Sequence, residues 1–186
     1  MATAKKTDYV ILGLLSHEPL TGYDIKQRMD TSLSLFWGAS YGSIYPALEG
    51  LLRDKKIKAA DVSTNGREKT QYTITAKGKK YLKQWLSEPV EKDELRSETL
   101  LKLFFGSCAE PSDSLAHVEA FRKTAERTLA VLHQMEASLE PVLQEDPAHR
   151  YYLLTVRCGI RMYEAYAAWC DEAEDELHDG QGTADK

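Results

Sequence analysis

The spacing of apolar residues predicts three helices in the first 55 positions of the chain. Over residues 9–16, 22–30 and 41–55, apolar side chains recur every three or four positions, which is the period of one helical face. Thr21 precedes the second segment and Asp24 follows three residues later, a pairing that resembles a capping box. We therefore expect the second helix to begin directly after Thr21.

A hairpin and a fourth helix are predicted next. Two runs of β-forming residues, 57–63 and 69–75, flank the dipeptide Asn65-Gly66, and Asn-Gly between such runs is the strongest short signal for a hairpin. Residues 76–86 return to a helical pattern. Three helices, a hairpin and a further helix follow in this order in a winged helix-turn-helix, where the third helix enters the major groove of DNA.

The second half of the chain has a helical pattern throughout. Residues 97–105 are apolar on nearly every side, so we expect this short helix to be buried. Residues 111–140 carry apolar side chains at heptad spacing, for example at Val118 and Ala125, and residues 149–177 repeat the pattern. The two long helices therefore predict a packed helical pair with apolar stripes wider than one chain can cover.

Together these patterns predict a mainly α fold with two domains. A winged helix-turn-helix DNA-binding domain is expected over residues 1–88, an all-helical, coiled-coil-like dimerisation domain over 89–178, and a disordered tail over 179–186. We expect a homodimer whose interface follows one side of the last helix. The expected interface residues are Leu153, Val156, Gly159, Ile160, Tyr163, Tyr166, Ala167 and Cys170.

Charge is divided unevenly between the two halves. The formal net charge is -5, yet residues 1–86 carry 14 basic and 8 acidic side chains, whereas residues 87–186 carry 10 and 21. A cationic first half suits a polyanion such as double-stranded DNA. The first apolar run, residues 9–15, is too short to cross a membrane, and three cysteines without CxxC spacing indicate reduced thiols. We therefore expect a cytoplasmic protein without a membrane partner.

Catalytic and metal-binding motifs are missing from the sequence. It contains no HExxH, P-loop, GxSxG or GxGxxG pattern, and its five histidines share no metal-ligand spacing. The acidic run 171–176 occupies consecutive helical positions, so its carboxylates point in different directions. We expect no enzyme activity, no catalytic residue, no cofactor and no metal site.

Candidate DNA-binding residues lie at two helix starts and in the hairpin. Small and hydroxyl side chains permit close approach to DNA, free N–H groups of a first helical turn can donate to it, and cationic tips suit phosphates. The predicted set is Thr21, Tyr23, Ser40, Tyr41, Ser43, Asn65, Gly66, Arg67 and Lys69. For Tyr45 a core position beside Ile44 and Leu48 is favoured over a DNA contact.

Several segments resemble the PadR family of transcriptional regulators. Residues 36–48, Phe-Trp-Gly-Ala-Ser-Tyr-Gly-Ser-Ile-Tyr-Pro-Ala-Leu, look like the family signature in the third helix. Residues 20–25 resemble the start of its second helix, and residues 72–75 with Gly78 resemble its exit from the wing. Residues 100–106 and the last helix are similar to the virulence-activator-type C-terminal domain of the larger PadR subgroup.

This resemblance implies a cytoplasmic, bacterial, homodimeric regulator, usually a repressor, whose effectors are typically small, often aromatic or phenolic molecules. Because the third helices of a two-fold dimer read symmetric half-sites, we expect an inverted-repeat operator, from which such an effector releases the repressor. Candidate effector-binding residues, which we place between the two lobes or near the dimer axis, are Trp37, Phe105, Tyr163 and Trp169. A transcriptional activator of the virulence-activator type is one alternative, and a winged-helix adaptor without ligand control is another. The stretch Lys55-Lys56-Ile57 departs from the family pattern, in which glycine often precedes the start of the strand, and we expect an altered turn without a change of function.

Overall fold

The computed structural model describes residues 2–34, 36–37, 41–64, 67–91 and 96–182 of the 186-residue chain. The chain divides into two compact units, Met1–Asp93 and Glu94–Lys186. The sequence predicts this boundary after residue 88. Among the described residues, no helix has both the length and the hydropathy required to span a bilayer.

Four α-helices and a small antiparallel sheet make up the described part of the first unit. The helices are α1 (Ala2–Leu15), α2 (Gly22–Arg28), α3 (Ile44–Arg53) and α4 (Ala76–Leu86). The strands are β1 (Leu20–Thr21), β2 (Ile57–Thr64) and β3 (Arg67–Ile74), ordered β1-β3-β2 in the sheet. This arrangement confirms the predicted mainly α fold with a hairpin after the third helix.

The hairpin keeps one register along its whole described length. Ile57 pairs with Ile74 at its base, and Thr64 pairs with Arg67 next to the turn. The predicted turn residues, Asn65 and Gly66, lie outside the described residues. Both strands are eight residues long, so the hairpin has the extended form of a wing.

Three local features of the first unit differ from the predicted elements. A π-helical turn, Met29–Leu33, extends α2 through a region expected to be a connector, and a 3₁₀ turn, Tyr41–Ser43, precedes α3. Strand β1 was not predicted, because two residues are too few for an alternating pattern to be visible in the sequence. Its pairing of Leu20 with Tyr72 ties the start of α2 to β3.

The core of the first unit lies between the helices and the base of the hairpin. It is formed by buried aliphatic side chains from α1, α2, α3 and the two long strands. Its members include Ile11, Leu12, Leu15, Ile25, Ile44, Leu48, Leu51, Ile57 and Ile74. Since full burial of such a side chain contributes about 1.5–3 kcal/mol, this cluster sets the orientation of α3.

The turn after α3 contains a lysine with a positive φ angle. Lys55 adopts the left-handed conformation with φ 58°, which costs a non-glycine residue about 1–2 kcal/mol. Its N–H donates to the carbonyl of Leu52, and the N–H of Lys56 donates to the carbonyl of Leu51, both at 2.9 Å. Lys55 therefore provides the helix-ending conformation that glycine commonly supplies.

A close backbone approach fixes α4 against this turn. Thr75 caps α4, and its hydroxyl donates to the carbonyl of Lys56 at 2.9 Å. A Cβ atom on Gly78 would lie only 2.1 Å from the same carbonyl oxygen. Position 78 must therefore be glycine for α4 to pack where it does.

The second unit contains three α-helices in its described part: α5 (Glu98–Phe104), α6 (Pro111–Leu139) and α7 (Pro147–Gly182). Helices α6 and α7 run antiparallel. Arg122 in the first half of α6 pairs with Glu174 in the second half of α7, whereas Glu136 near the end of α6 pairs with Arg157 in the first half of α7, both at 2.7 Å. The helix α7 ends at Gly182 and so enters the segment 179–186 that was predicted to be disordered.

The contact between α6 and α7 uses the predicted heptad positions within a single chain. On α6, Val118, Ala125 and Leu132 are buried, as predicted. On α7, the buried side chains are Leu153, Val156, Ile160 and Cys170. These four were predicted to contact a partner subunit. They are instead covered by their own chain, since both helices turn their apolar stripes toward each other.

The remaining predicted interface residues occupy the same side or the flank of α7. A Cβ atom on Gly159 would lie 3.2 Å from both methyl carbons of Leu132, so this glycine allows α6 to approach within the chain. Tyr163, Tyr166 and Ala167 are half-buried. These three residues therefore keep part of their surface accessible, whereas Leu153, Val156, Ile160 and Cys170 do not.

Helix α5 is not buried, contrary to the prediction. Leu101, Phe104 and Phe105 are 59%, 81% and 57% exposed. The prediction was wrong because only one side of this seven-residue helix packs on α6 within the chain. An apolar pattern on every side indicates that burial of the segment is favourable. It does not show that residues of the same chain cover it.

Two glycine-to-alanine substitutions test the packing of the first unit. Gly78→Ala forces a Cβ into the Lys56 carbonyl and is expected to reduce the free energy of unfolding by about 3 kcal/mol. Gly13→Ala lies in α1 with no atom within 4 Å of its new Cβ and is expected to raise stability by about 0.5–1 kcal/mol. Thermal melting followed by circular dichroism measures both, and equal effects of the two would contradict the described contact.

Candidate nucleic-acid interface

Helix α3 presents a stripe of exposed side chains on the side opposite its apolar face. Ile44 and Leu48 point into the core, whereas Tyr45, Glu49 and Arg53 follow one another at i,i+4 spacing and are exposed. Tyr45 is 62% exposed, so its predicted core position is wrong. Its neighbour Ile44 takes the core position, and the next helical position points about 100° away.

The ring of Tyr45 lies across the start of α2. A Cβ atom on Gly22 would meet the Tyr45 ring at 3.2 Å and its hydroxyl oxygen at 3.4 Å. This contact holds an exposed tyrosine in one orientation at the junction of α2 and α3. The absence of a side chain at Gly22 therefore determines where the Tyr45 hydroxyl is presented.

A cleft of about 490 Å³ joins four elements next to this tyrosine. It is bordered by hydroxyl-bearing side chains, one lysine and one glycine from β1, α2, α3 and β3. Its lining residues are Thr21, Gly22, Tyr23, Tyr45, Lys69, Thr70 and Tyr72. Partial burial raises the pKa of the Tyr72 hydroxyl. Like any tyrosine hydroxyl, it can donate a hydrogen bond at neutral pH. The cleft thus combines several hydrogen-bonding groups and a cation.

At the start of α2 the predicted capping box is present. The N–H of Asp24 donates to the Thr21 hydroxyl at 3.2 Å, and the N–H and hydroxyl of Thr21 donate to the Asp24 carboxylate at 3.0 and 2.7 Å. These bonds hold the pKa of Asp24 below its usual value. Thr21 therefore stabilises the start of α2 in addition to lining the cleft. Tyr23 is 68% exposed, so its side chain is accessible to a ligand.

At the beginning of α3, the predicted DNA-binding residue whose side chain the structure describes does not lie on the exposed face. The hydroxyl of Ser43 lies 3.3 Å from the hydroxyl of Thr7 on α1, so this side chain turns toward the core rather than outward. Ser40 and the side chain of Tyr41 lie outside the described residues. Of the predicted residues in this segment, Ser43 therefore stabilises the position of α3 instead of lying on its exposed face.

Basic side chains surround the hairpin and α4. Lys69 on β3 is exposed and close enough to Asp24 to lower the pKa of that carboxyl. The side chain of Arg67 lies outside the described residues. On α4 the exposed lysines are Lys77, Lys79, Lys80 and Lys83. Lys77 donates to the carbonyl of Asp54 at 2.9 Å, which fixes one of these cations beside the turn after α3.

The four predicted effector residues do not share one described cavity. Phe105 borders a cavity of about 310 Å³ between α5 and α6, together with Leu101, Ser114 and His117. Tyr163 and Trp169 belong to a separate cluster of rings in the second unit. In this cluster the ring centroid of Phe121 lies 5.3 Å from that of Tyr166 and 5.9 Å from that of Trp169. The ring centroids of Tyr163 and Tyr166 are 5.6 Å apart. Trp37 belongs to the first unit, where the Lys6 ammonium lies 5.6 Å from its ring centroid.

Sequence reasoning missed the outward stripe Tyr45, Glu49 and Arg53. The sequence contained a signal for this stripe, because these positions lie opposite the apolar residues of the same helix.

Within the described residues, no group of histidine, cysteine or acidic side chains has the arrangement of a metal site.

Two family models match the chain, one in each unit. The model described as "Transcriptional regulator PadR-like family" matches residues 11–84. The model described as "Virulence activator alpha C-term" matches residues 95–178. The first match includes α3 and the hairpin, and the second includes α5, α6 and most of α7.

Individual relatives agree with these matches over nearly the full length. The chain is 29% identical over 173 residues to the negative transcriptional regulator PadR of Bacillus subtilis, which covers 88% of this chain and 92% of that protein. A PadR-like regulator from Bacillus cereus superposes with a TM-score of 0.77 at 27% identity, covering 94% and 99% of the two chains. Bacillus subtilis PadR in complex with operator DNA superposes with a TM-score of 0.74 at 26% identity, covering 91% and 98%.

Proposed function

Because this chain belongs to the PadR family of transcriptional regulators, we propose that it binds an inverted-repeat operator in double-stranded DNA through its first unit. The observation that carries this proposal is the exposed stripe on α3 beside a cleft of hydroxyl and cationic groups. A recognition helix reads base edges, while the surrounding cations bind phosphates. A solved relative with 26% identity is a complex with operator DNA, which supports binding of this chain to operator DNA.

The salt dependence of DNA binding tests the role of the hairpin. Lys69→Ala removes an exposed cation next to the cleft and is expected to weaken binding to operator and scrambled DNA alike. The slope of log K against log salt should fall by about 0.9 per lost phosphate contact in each protomer. Fluorescence-anisotropy titrations at several salt concentrations measure this slope.

Lys123→Ala is the matched control for this experiment. Lys123 is an exposed lysine of the second unit that pairs with Glu119 at 3.6 Å. We expect its removal to leave the salt slope unchanged. A slope that changes in Lys123→Ala but not in Lys69→Ala would place the DNA on the second unit and contradict the proposal.

We further propose a homodimer that forms through the side of α7 facing away from α6. The exposed residues Tyr151, Leu154, Cys158 and Met162 form a stripe at helical spacing there. Exposed apolar residues that follow one helical face are typical of a surface that another copy covers. This stripe replaces the buried residues that the sequence had suggested for the interface.

Leu154→Glu tests this interface. It places a charge on the stripe and is expected to weaken the dimer by about 4 kcal/mol, because a two-fold interface carries the change twice. Ala130→Glu places the same charge on an exposed position of α6 and should leave the dimer intact. Sedimentation equilibrium measures both variants, and an unchanged dimer in Leu154→Glu contradicts the proposed surface.

We propose that the regulator is a repressor and that a small aromatic molecule releases it from DNA. The similarity to a negative transcriptional regulator supports repression. The ring cluster of Phe121, Tyr163, Tyr166 and Trp169 supplies a surface on which an aromatic ligand can stack. The name of the second family model makes an activator the alternative, and transcription from the operator with and without protein distinguishes the two.

Thermal melting with a panel of aromatic carboxylic acids and cationic aromatic drugs tests the effector. A ligand present at 100 times its Kd should stabilise the folded protein by about 2.7 kcal/mol. Trp169→Leu should abolish this stabilisation and the release from DNA. Trp85→Phe should preserve both, since Trp85 stacks on Tyr9 in the first unit at 4.4 Å. Equal stabilisation of wild type and Trp169→Leu contradicts a site at this cluster.

A further inference from the structure

Glu49 occupies the middle of the exposed stripe on α3. Tyr45 lies one turn before it and Arg53 one turn after it, and all three are exposed. Glu49 and Arg53 have the spacing of a helical ion pair, but they form no such pair. Within the described part of the chain, Glu49 is thus a solvated carboxylate without a cationic partner.

A carboxylate at this position opposes binding to the DNA backbone. The first 86 residues have an excess of basic over acidic side chains, and the face around α3 is expected to approach phosphates. An acidic side chain on the recognition helix therefore reduces affinity for DNA of any sequence, unless it meets a hydrogen-bond donor in the groove. The major groove offers such donors only as the exocyclic amino groups of cytosine and adenine.

Cytosine is the better match for a carboxylate. Its N4 amino group can donate a hydrogen bond to an acidic side chain. Adenine has an acceptor, N7, beside its N6 amino group and therefore favours an amide side chain, which offers both a donor and an acceptor. Glu49 also lies near the cleft, because its charge contributes to raising the pKa of Tyr72. The ring of Tyr45 packs against Gly22 and lies one helical turn before Glu49 on the same exposed side of α3.

We propose that Glu49 is a specificity-determining residue that accepts a hydrogen bond from the N4 amino group of one cytosine in each operator half-site. This inference rests on the proposed function, in which α3 enters the major groove. The carboxylate then acts in two ways. It selects a C·G pair at one position, and it weakens binding to sequences that lack this pair.

Binding-site selection followed by titration tests this role. The full-length wild type is used to select its operator from a pool of random DNA. Its Kd is then measured for the operator, for scrambled DNA, and for operators in which each C·G pair is replaced. Wild type should lose about tenfold in affinity when one particular C·G pair per half-site is changed. Glu49→Ala should lose this discrimination and bind scrambled DNA more tightly, while Glu49→Gln should shift the preference at this pair toward A·T.

Glu88→Gln is the control, because it removes the same charge from the first unit outside α3 and should leave base preference unchanged. Circular dichroism melting shows whether the Glu49 variants remain folded, as expected for an exposed position. If Glu49→Ala keeps full discrimination at every C·G pair, or loses it at a different base, the inference is overturned while DNA binding stands. If the wild type selects no DNA sequence, the proposed function and this inference both fail.

Discussion

Burial of the apolar face of α3 against α1 and the hairpin base is the constraint on which the first unit depends. Ile44 and Leu48 are held in the core, each contributing on the order of 1.5–3 kcal/mol. Since a helix has 3.6 residues per turn, this burial leaves Tyr45, Glu49 and Arg53 no position except the outward side. The chemistry that α3 presents at the protein surface is therefore a consequence of core packing.

Two close approaches at glycine make this arrangement specific. Gly78 lets α4 meet the carbonyl of Lys56, which fixes the hairpin and α4 relative to the end of α3. Gly22 lets the Tyr45 ring cross the start of α2, which fixes one exposed side chain of α3. In the second unit the same principle operates at Gly159, where α6 and α7 approach through Leu132. Each of these glycines lacks the Cβ atom that would block the contact. The contact in turn fixes an exposed side chain or the packing of two helices.

The sequence predicted the elements well and their partners less well. Helical and alternating periodicity located α4 and the hairpin to within a few residues, and the PadR resemblance is confirmed by family models in both units. Periodicity could not show which surface covers an apolar residue. For this reason α5 was expected to be buried, and Cys170 was expected at a subunit interface when α6 covers it. Tyr45 was misplaced because its neighbour Ile44 satisfies the core position.

The most direct test of the account is amide hydrogen exchange of the full-length protein with and without DNA from the region upstream of its own gene. Binding through the first unit predicts slower exchange in α3 and along β2 and β3, with smaller changes in α6. This result would follow from backbone and side chains that lose access to water at the DNA surface. Protection confined to α6 and α7, with α3 and the hairpin unchanged, would contradict the account.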